Sequence, residues 1–141
     1  MLKGIDPLLN AELLNILRAM GHGDELALVD RNFPAASVAR RLVRLDGVDI
    51  PRAARAILSV LPLDTFVDRP VRRMEVVGKP DEVPAVQREM QQIINEAEGR
   101  DCPMGSLERF AFYDQARTAF AVVATGESRA YGCFLLKKGV L

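Results

Sequence analysis

Short apolar runs that suit β-strands alternate along the chain with stretches whose apolar residues recur at helical spacing, and this alternation limits the fold more than any other feature. Asn10 is suited to cap a first helix, because its side chain can accept a bond from an unpaired amide of the first turn. Leu13, Leu14, Leu17 and Met20 then form one apolar face. Gly21 stands where helices often close in a left-handed residue, so the helix is expected to stop near Met20. Glu25 to Asp30 reads as a strand, Arg41 to Asp46 as a second, and Val71 to Val77 as a third. Pro51 suits a helix first turn, and Arg52 to Leu61 continues that helix. Glu82 to Glu98 carries an amphipathic stripe of Val83, Val86, Met90, Ile93, Ile94 and Ala97. Gly99 to Gly105 reads as a loop, and Phe110 to Arg117 as a short helix. Phe120 to Ala124 and Cys133 to Lys137 are the last strands, and their short connection suggests an antiparallel pair. Strands alternating with helices imply an α/β domain whose mixed sheet is covered on both faces.

Composition narrows the function. The 141 residues suit one domain, 1–141, and a core of that size forms without disulfides or metal. Lys and Arg number 19, equal to Asp and Glu, so the net charge is zero. That balance argues against nucleic acid or an anionic membrane as partner, since both are held by an excess of cations. One His and two Cys cannot supply a zinc site of nitrogen and sulfur ligands alone. No apolar run is long enough to span a membrane, and Asp6, Pro7 and Asn10 interrupt the segment where a signal peptide would be apolar. Cys102 and Cys133 read as free thiols of a cytoplasmic protein.

Gly21-His22-Gly23 is not a phosphate-binding pattern, and neither a P-loop nor a nucleophile elbow occurs. Arg40, Arg41, Arg44, Arg52 and Arg55 make a mildly basic region broken by acids, read as a solvated or subunit-contacting face. His22 is the most informative residue. It follows a helix C-terminus, where the backbone dipole favours imidazolium, and Asp24 is near enough in sequence to orient it. It can cap the helix by bonding a terminal carbonyl, or it can transfer protons near neutral pH. Asp30 ends a strand, where α/β sheets collect ligands, and it also suits a turn into Asn32. Arg109 can bond sugar hydroxyls or a carboxylate, or stand as a surface charge. Tyr131-Gly132-Cys133 puts a phenol at the mouth of the last strand, while Tyr113 reads as packing.

Three segments resemble the ribose pyranase and fucose mutarotase family, and its fucose branch more closely. They are MLKGIDPLLNAELLNILRAMGHGDELALVDRNFPA, RFAFYDQA and YGCFLLKKGV, with weaker similarity from Ala36 to Gly105. MGHGDE followed by an aspartate at a strand end is the most specific of them. The resemblance implies a three-layer α/β/α domain with a mixed sheet, assembled into a ring-shaped homo-oligomer, often a decamer, with each site completed by an adjacent subunit. It implies an isomerase that interconverts the anomers of a free monosaccharide, L-fucose or a related pyranose, without cofactor or metal. His22 matches the family's proton donor. Asp30 and Arg109 match substrate-binding positions, and Tyr131, Gly132 and Cys133 match the substrate-binding loop. The fucose branch commonly has Asn where this chain has Cys133, and a thiol bonds sugar hydroxyls poorly. Asp114 stands where the family often has Glu. Ribose pyranase activity and a non-catalytic sugar-binding ring are the alternative expectations.

Overall fold

The computed structural model describes residues 1–141. Six strands form a single sheet: β1 (Glu25–Val29), β2 (Leu42–Leu45), β3 (Val71–Met74), β4 (Gly105–Leu107), β5 (Ala121–Thr125) and β6 (Phe134–Lys137). Their order across the sheet is β2-β5-β1-β6-β3-β4. β1 pairs in parallel with β5, β5 with β2, and β3 with β4. β6 is antiparallel to both its neighbours, β1 and β3. The sheet is mixed because this one interior strand runs against the other five.

The expectation of a directly paired final hairpin is corrected here. β5 and β6 do run in opposite directions, but β1 lies between them. β1 is apolar on both faces, and its residues Leu26 to Val29 are fully buried. A strand of that kind belongs at the centre of a sheet, and it takes β5 on one side and β6 on the other.

Alternate strand residues build two separate cores. Leu26, Leu28, Val43, Val123, Phe134 and Leu136 face one side. They pack there against α1 (Ala11–Ala19), α3 (Ile50–Leu58) and α4 (Ala85–Glu98). Ala27, Val29, Val122, Ala124 and Leu135 face the other side, against α2 (Ala35–Val38) and α5 (Arg109–Thr118). The period of two along each strand thus produces three layers.

Local chemistry sets the helix starts. Asn10 Oδ1 accepts from the Leu13 amide at 2.9 Å, and Asp49 Oδ1 accepts from the Arg52 amide at 3.0 Å, ahead of Pro51. Glu108 caps α5 by accepting from the amides of Phe110 and Ala111. Two further expectations change. Gly21 is not left-handed; the positive φ falls on Gly23, at 86°. The supposed loop up to Gly105 ends in β4, whose few residues lack an apolar alternation and are ordered by pairing with β3.

Candidate functional site

Because β6 runs against the other strands, its start lies at the carboxyl ends of β1 and β3. Asp30 leaves β1 at this edge, Met74 ends β3, and Tyr131 to Cys133 lead into β6. Arg109 and Tyr113 arrive on α5. Asp30, Asn32, Phe33, Met74, Tyr131 and Cys133 share with Arg109 and Tyr113 an open cavity of 250 Å³. Such edges are where open α/β sheets hold ligands.

Asp30 organises this edge. Its residue is 5% exposed, and four donors of the same chain surround its carboxylate. Oδ1 accepts from the amides of Asn32 (3.0 Å) and Phe33 (3.1 Å). Oδ2 accepts from the Gly132 amide (3.1 Å) and the Cys133 thiol (3.4 Å). One carboxylate therefore makes the turn into Asn32 and also clamps the segment before β6. Glycine suits this approach, since a β-carbon at position 132 would be crowded, 3.1 Å from the Glu127 side chain and 3.4 Å from that of Asp30. Burial pushes the Cys133 thiol well above its ordinary pKa, and the nearby Asp30 charge adds to the effect. It is a hydrogen-bonding thiol, not a thiolate nucleophile.

Arg109 is exposed, with its Nε donating to the Tyr113 hydroxyl at 3.0 Å. That bond holds the guanidinium above its usual pKa. Tyr113 in turn packs edge-on against Phe33, with ring centroids 5.3 Å apart. Tyr113 is thus part of the cavity wall and not packing alone. Its place four residues after Arg109, on the same helix face, was the available signal.

The loop into β6 rests on an ion pair between buried Glu127 and partly exposed Arg129. Glu127 accepts from the Arg129 side chain, from the Arg129 amide (3.0 Å) and from the Ile50 amide (3.2 Å) at the start of α3. The Arg129 guanidinium, helped by these amides, holds the Glu127 carboxyl down to about 2. Glu89 completes the network by pairing with the same guanidinium.

His22 does not join this cavity. It precedes β1, whereas Asp30 follows it, and a five-residue strand at about 3.3 Å per residue separates the two by roughly 16 Å. At its own edge the His22 side chain is 41% exposed, and its Nε2 lies 3.1 Å from Asp64 Oδ1. Asp64, which is buried, also accepts from the Phe66 amide at 3.0 Å. That amide, followed by His22, holds the Asp64 carboxyl below the usual carboxylate range. The Phe66 ring meets the imidazole edge-on with centroids 5.0 Å apart.

The expected partner of His22 was Asp24, but Asp24 Oδ2 accepts instead from the Gly21 amide at 2.7 Å. Asp64 is 42 residues away, with no local signal linking the two. Nor does His22 cap α1. Lys138 Nζ donates to the carbonyls of Leu17 (2.8 Å) and Met20 (2.5 Å) and fills that role. The imidazole is therefore oriented by Asp64 through Nε2, with Nδ1 uncommitted.

A larger cavity of 440 Å³ lies between α1 and the C-terminus, with Arg18 and Lys138 as its charged residues. Lys138 is already committed to α1, so the cavity offers little chemistry. No group of three His, Cys, Asp or Glu side chains is placed to hold a metal ion, and no helix is long and apolar enough to cross a membrane.

One mixed sheet between two helical layers, with a cavity at its carboxyl edge into which Asp30, Arg109, Tyr113 and Tyr131 bring polar groups, defines a three-layer α/β domain. Residues 3–141 match the RbsD / FucU transport protein family, and the chain belongs to that family. It is 46% identical to the human fucose mutarotase over 146 residues, covering 99% of this chain and 94% of the relative. It is 41% identical to the L-fucose mutarotase of Actinobacillus pleuropneumoniae serotype 5b, covering 99% and 97%. The fucose mutarotase of Streptococcus pneumoniae, solved in complex with L-fucose, superposes with a TM-score of 0.92 at 41% identity, covering 99% of each chain.

Proposed function

We propose that this chain is a single-domain mutarotase, residues 1–141, that interconverts the α and β anomers of L-fucose or a related free pyranose. The full-length similarity to fucose mutarotases supports this activity. The reaction needs no covalent intermediate. The ring oxygen gains a proton as its bond to C1 breaks, and the anomeric hydroxyl loses one as C1 becomes an aldehyde. Rotation about C1–C2 and closure on the other face reverse both transfers. An imidazolium at His22 is the proton donor, oriented by Asp64. Each such acid or base contributes about 10²–10⁴-fold.

Asp30 is poorly placed to take up the second proton, because the chain's own donors occupy its acceptor positions. It shapes the pocket instead, and water in the open cavity takes up that proton. The Tyr131 hydroxyl accepts from the Val77 amide at 3.2 Å and keeps its own hydrogen to offer to a sugar oxygen. Arg109 and the Tyr131 to Cys133 segment bind the hydroxyls.

The observation that carries the assembly is the separation of His22 from the cavity. One chain holds the sugar-binding edge and the acid at opposite ends of β1, so a complete site takes the cavity of one copy and His22 of another. A homo-oligomeric ring, a decamer in the family's usual form, supplies that arrangement. The free, buried Cys102 and Cys133 suit a reduced cytoplasmic compartment.

Saturation-transfer NMR on equilibrated L-fucose, D-ribose and D-galactose tests the activity. Faster anomer exchange in L-fucose is expected. Exchange confined to the pyranose and furanose forms of ribose would replace the assignment with a pyranase, and sugar binding without exchange would replace it with a non-catalytic ring. Mixing inactive His22→Ala and Arg109→Ala subunits tests the shared site. Random reassembly should restore part of the wild-type rate, because some interfaces then carry neither substitution. No recovery in demonstrably mixed rings would place both residues in one chain's site.

A further inference from the structure

Tyr131 is the one non-glycine residue with positive φ, at 64°. That conformation disfavours any residue with a β-carbon and persists only where neighbours over-determine it. The neighbour that meets its main chain is Gln87 of α4, a polar side chain with no exposed surface. Gln87 Nε2 donates to the Tyr131 carbonyl at 3.0 Å and to the Met74 carbonyl at 2.8 Å. Met74 and Tyr131 both line the cavity, so one buried carboxamide ties together two of its walls.

The other end of the tyrosine is tied to the same group by a second route. Gln87 Oε1 accepts from Arg73 Nη1 at 3.2 Å. The Arg73 guanidinium also donates to the Pro80 carbonyl (2.9 Å) and the Glu82 carbonyl (3.4 Å), fastening the turn after β3 to the sheet. That turn carries Val77, whose amide donates to the Tyr131 hydroxyl. The bonds close a cycle: carboxamide to tyrosine carbonyl, tyrosine hydroxyl to Val77, turn to Arg73, and Arg73 back to the carboxamide.

We propose that Gln87, acting with Arg73, is the positioning residue that holds Tyr131 in its left-handed conformation and sets where its phenol stands at the sugar cavity. The importance of that phenol for sugar rests on the mutarotase reading; the geometry it acts through does not. Only a primary amide meets the demand at this position, since it needs two hydrogens for two carbonyls and one oxygen for a guanidinium. A carboxylate would oppose both carbonyls, and a thioether of similar length would leave them unpaired.

Gln87→Met and Gln87→Glu test the proposal with two readouts. In amide hydrogen exchange, the Val77 and Gly132 amides should exchange at least about tenfold faster, with the β1 amides Leu26 to Val29 unchanged. In L-fucose exchange, KM should rise several-fold with a smaller change in kcat. Tyr131→Phe should raise KM similarly, and combining it with Gln87→Met should add nothing further, because both act through one phenol. If Gln87→Met fails to fold, Arg73→Met, which cuts the cycle from its partly exposed side, should give the same local exchange and KM pattern. Acceleration spread evenly over the sheet, an unchanged KM, or additive effects of Gln87→Met and Tyr131→Phe would overturn the proposal. If the wild-type protein exchanges no sugar, the mutarotase reading falls. The hydrogen-exchange pattern alone then decides the positioning role, local acceleration supporting it and uniform acceleration overturning it.

Discussion

The two ends of β1 are built on opposite plans. At the carboxyl end, Asp30 is buried and its carboxylate is surrounded by donors of its own chain. Glu127, Arg129 and Gln87 brace the same edge from beneath. At the amino end, His22 stands in solvent with one oriented nitrogen, one partner carboxylate, and the largely exposed ring of Phe66 beside it. A cup that must hold a ligand in one orientation gains from a closed hydrogen-bond inventory, because every wall is then fixed before binding. An acid that must reach into another subunit's cup gains from exposure and a single hinge of orientation. In the proposed mutarotase, binding and proton donation lie at opposite ends of β1, and assembly of copies reunites them.

Substitutions at the two ends should therefore fail in different ways. The largest expected effect is His22→Ala, which should slow anomer exchange by about 100-fold or more, while the thermal unfolding midpoint moves little because the side chain is half in solvent. A large drop in stability would show that the exposed end also holds the fold. Asp30→Ala should do the reverse. It leaves the amides of Asn32, Phe33 and Gly132 without their carboxylate, so denaturant unfolding should record a loss of about 2–4 kcal/mol, with sugar affinity falling as the cup loosens. Preserved stability would mean the clamp is dispensable.

Asp64→Asn should cost about tenfold in exchange rate, with KM for the sugar unchanged, since Asp64 contacts His22 and the Phe66 amide and not the cavity. A KM effect of equal size would place Asp64 in the cup. Acid should expose the bracing of the carboxyl end. The Glu127 carboxyl is held at about 2 against an ordinary 4.5. A depressed value stabilises the fold above pH 4.5, and that contribution is lost as pH falls towards 2. Glu127→Gln should accordingly flatten the acid limb of a stability profile between those values, and an unchanged limb would assign acid sensitivity elsewhere. Cys133→Asn should have the smallest effect, a few-fold change in KM, because the new amide can still donate to Asp30. A tenfold gain for L-fucose would instead make position 133 a determinant of sugar preference.

Much of the architecture was legible in the chain's own patterning. The cap at Asn10, Pro51 in the first turn of α3, the apolar run of β1 and the helical stripe of α4 are local signals, written in a few consecutive side chains. β4 escaped because three residues without alternation form a strand only when β3 is present to pair with them. The hairpin expectation for β5 and β6 failed because a short connection limits how far apart two strands lie, not what slips between them.

The candidate site could be named from the sequence as a set of residues but not located as a place. Sequence order and family resemblance singled out His22, Asp30, Arg109 and Tyr131 to Cys133. They did not reveal that Arg109, Tyr131 and Cys133 gather at the Asp30 end of β1 and leave His22 alone at the other. Gln87 and Asp64 gave no sign, since a glutamine within an amphipathic helix and an aspartate in a short connection look ordinary.

By itself the sequence determined the period of the longer elements, the cap that starts α1 and the scarcity that leaves His22 as the sole imidazole. These follow from neighbours within a few residues, whose geometry the backbone dictates. The tertiary structure alone decided that β6 is inserted between β1 and β3, that Asp64 and not Asp24 orients His22, and that Gln87 holds a strained tyrosine. Each of those contacts joins residues far apart in the chain, and only the packing of the sheet and its two helical layers brings such residues within hydrogen-bonding distance.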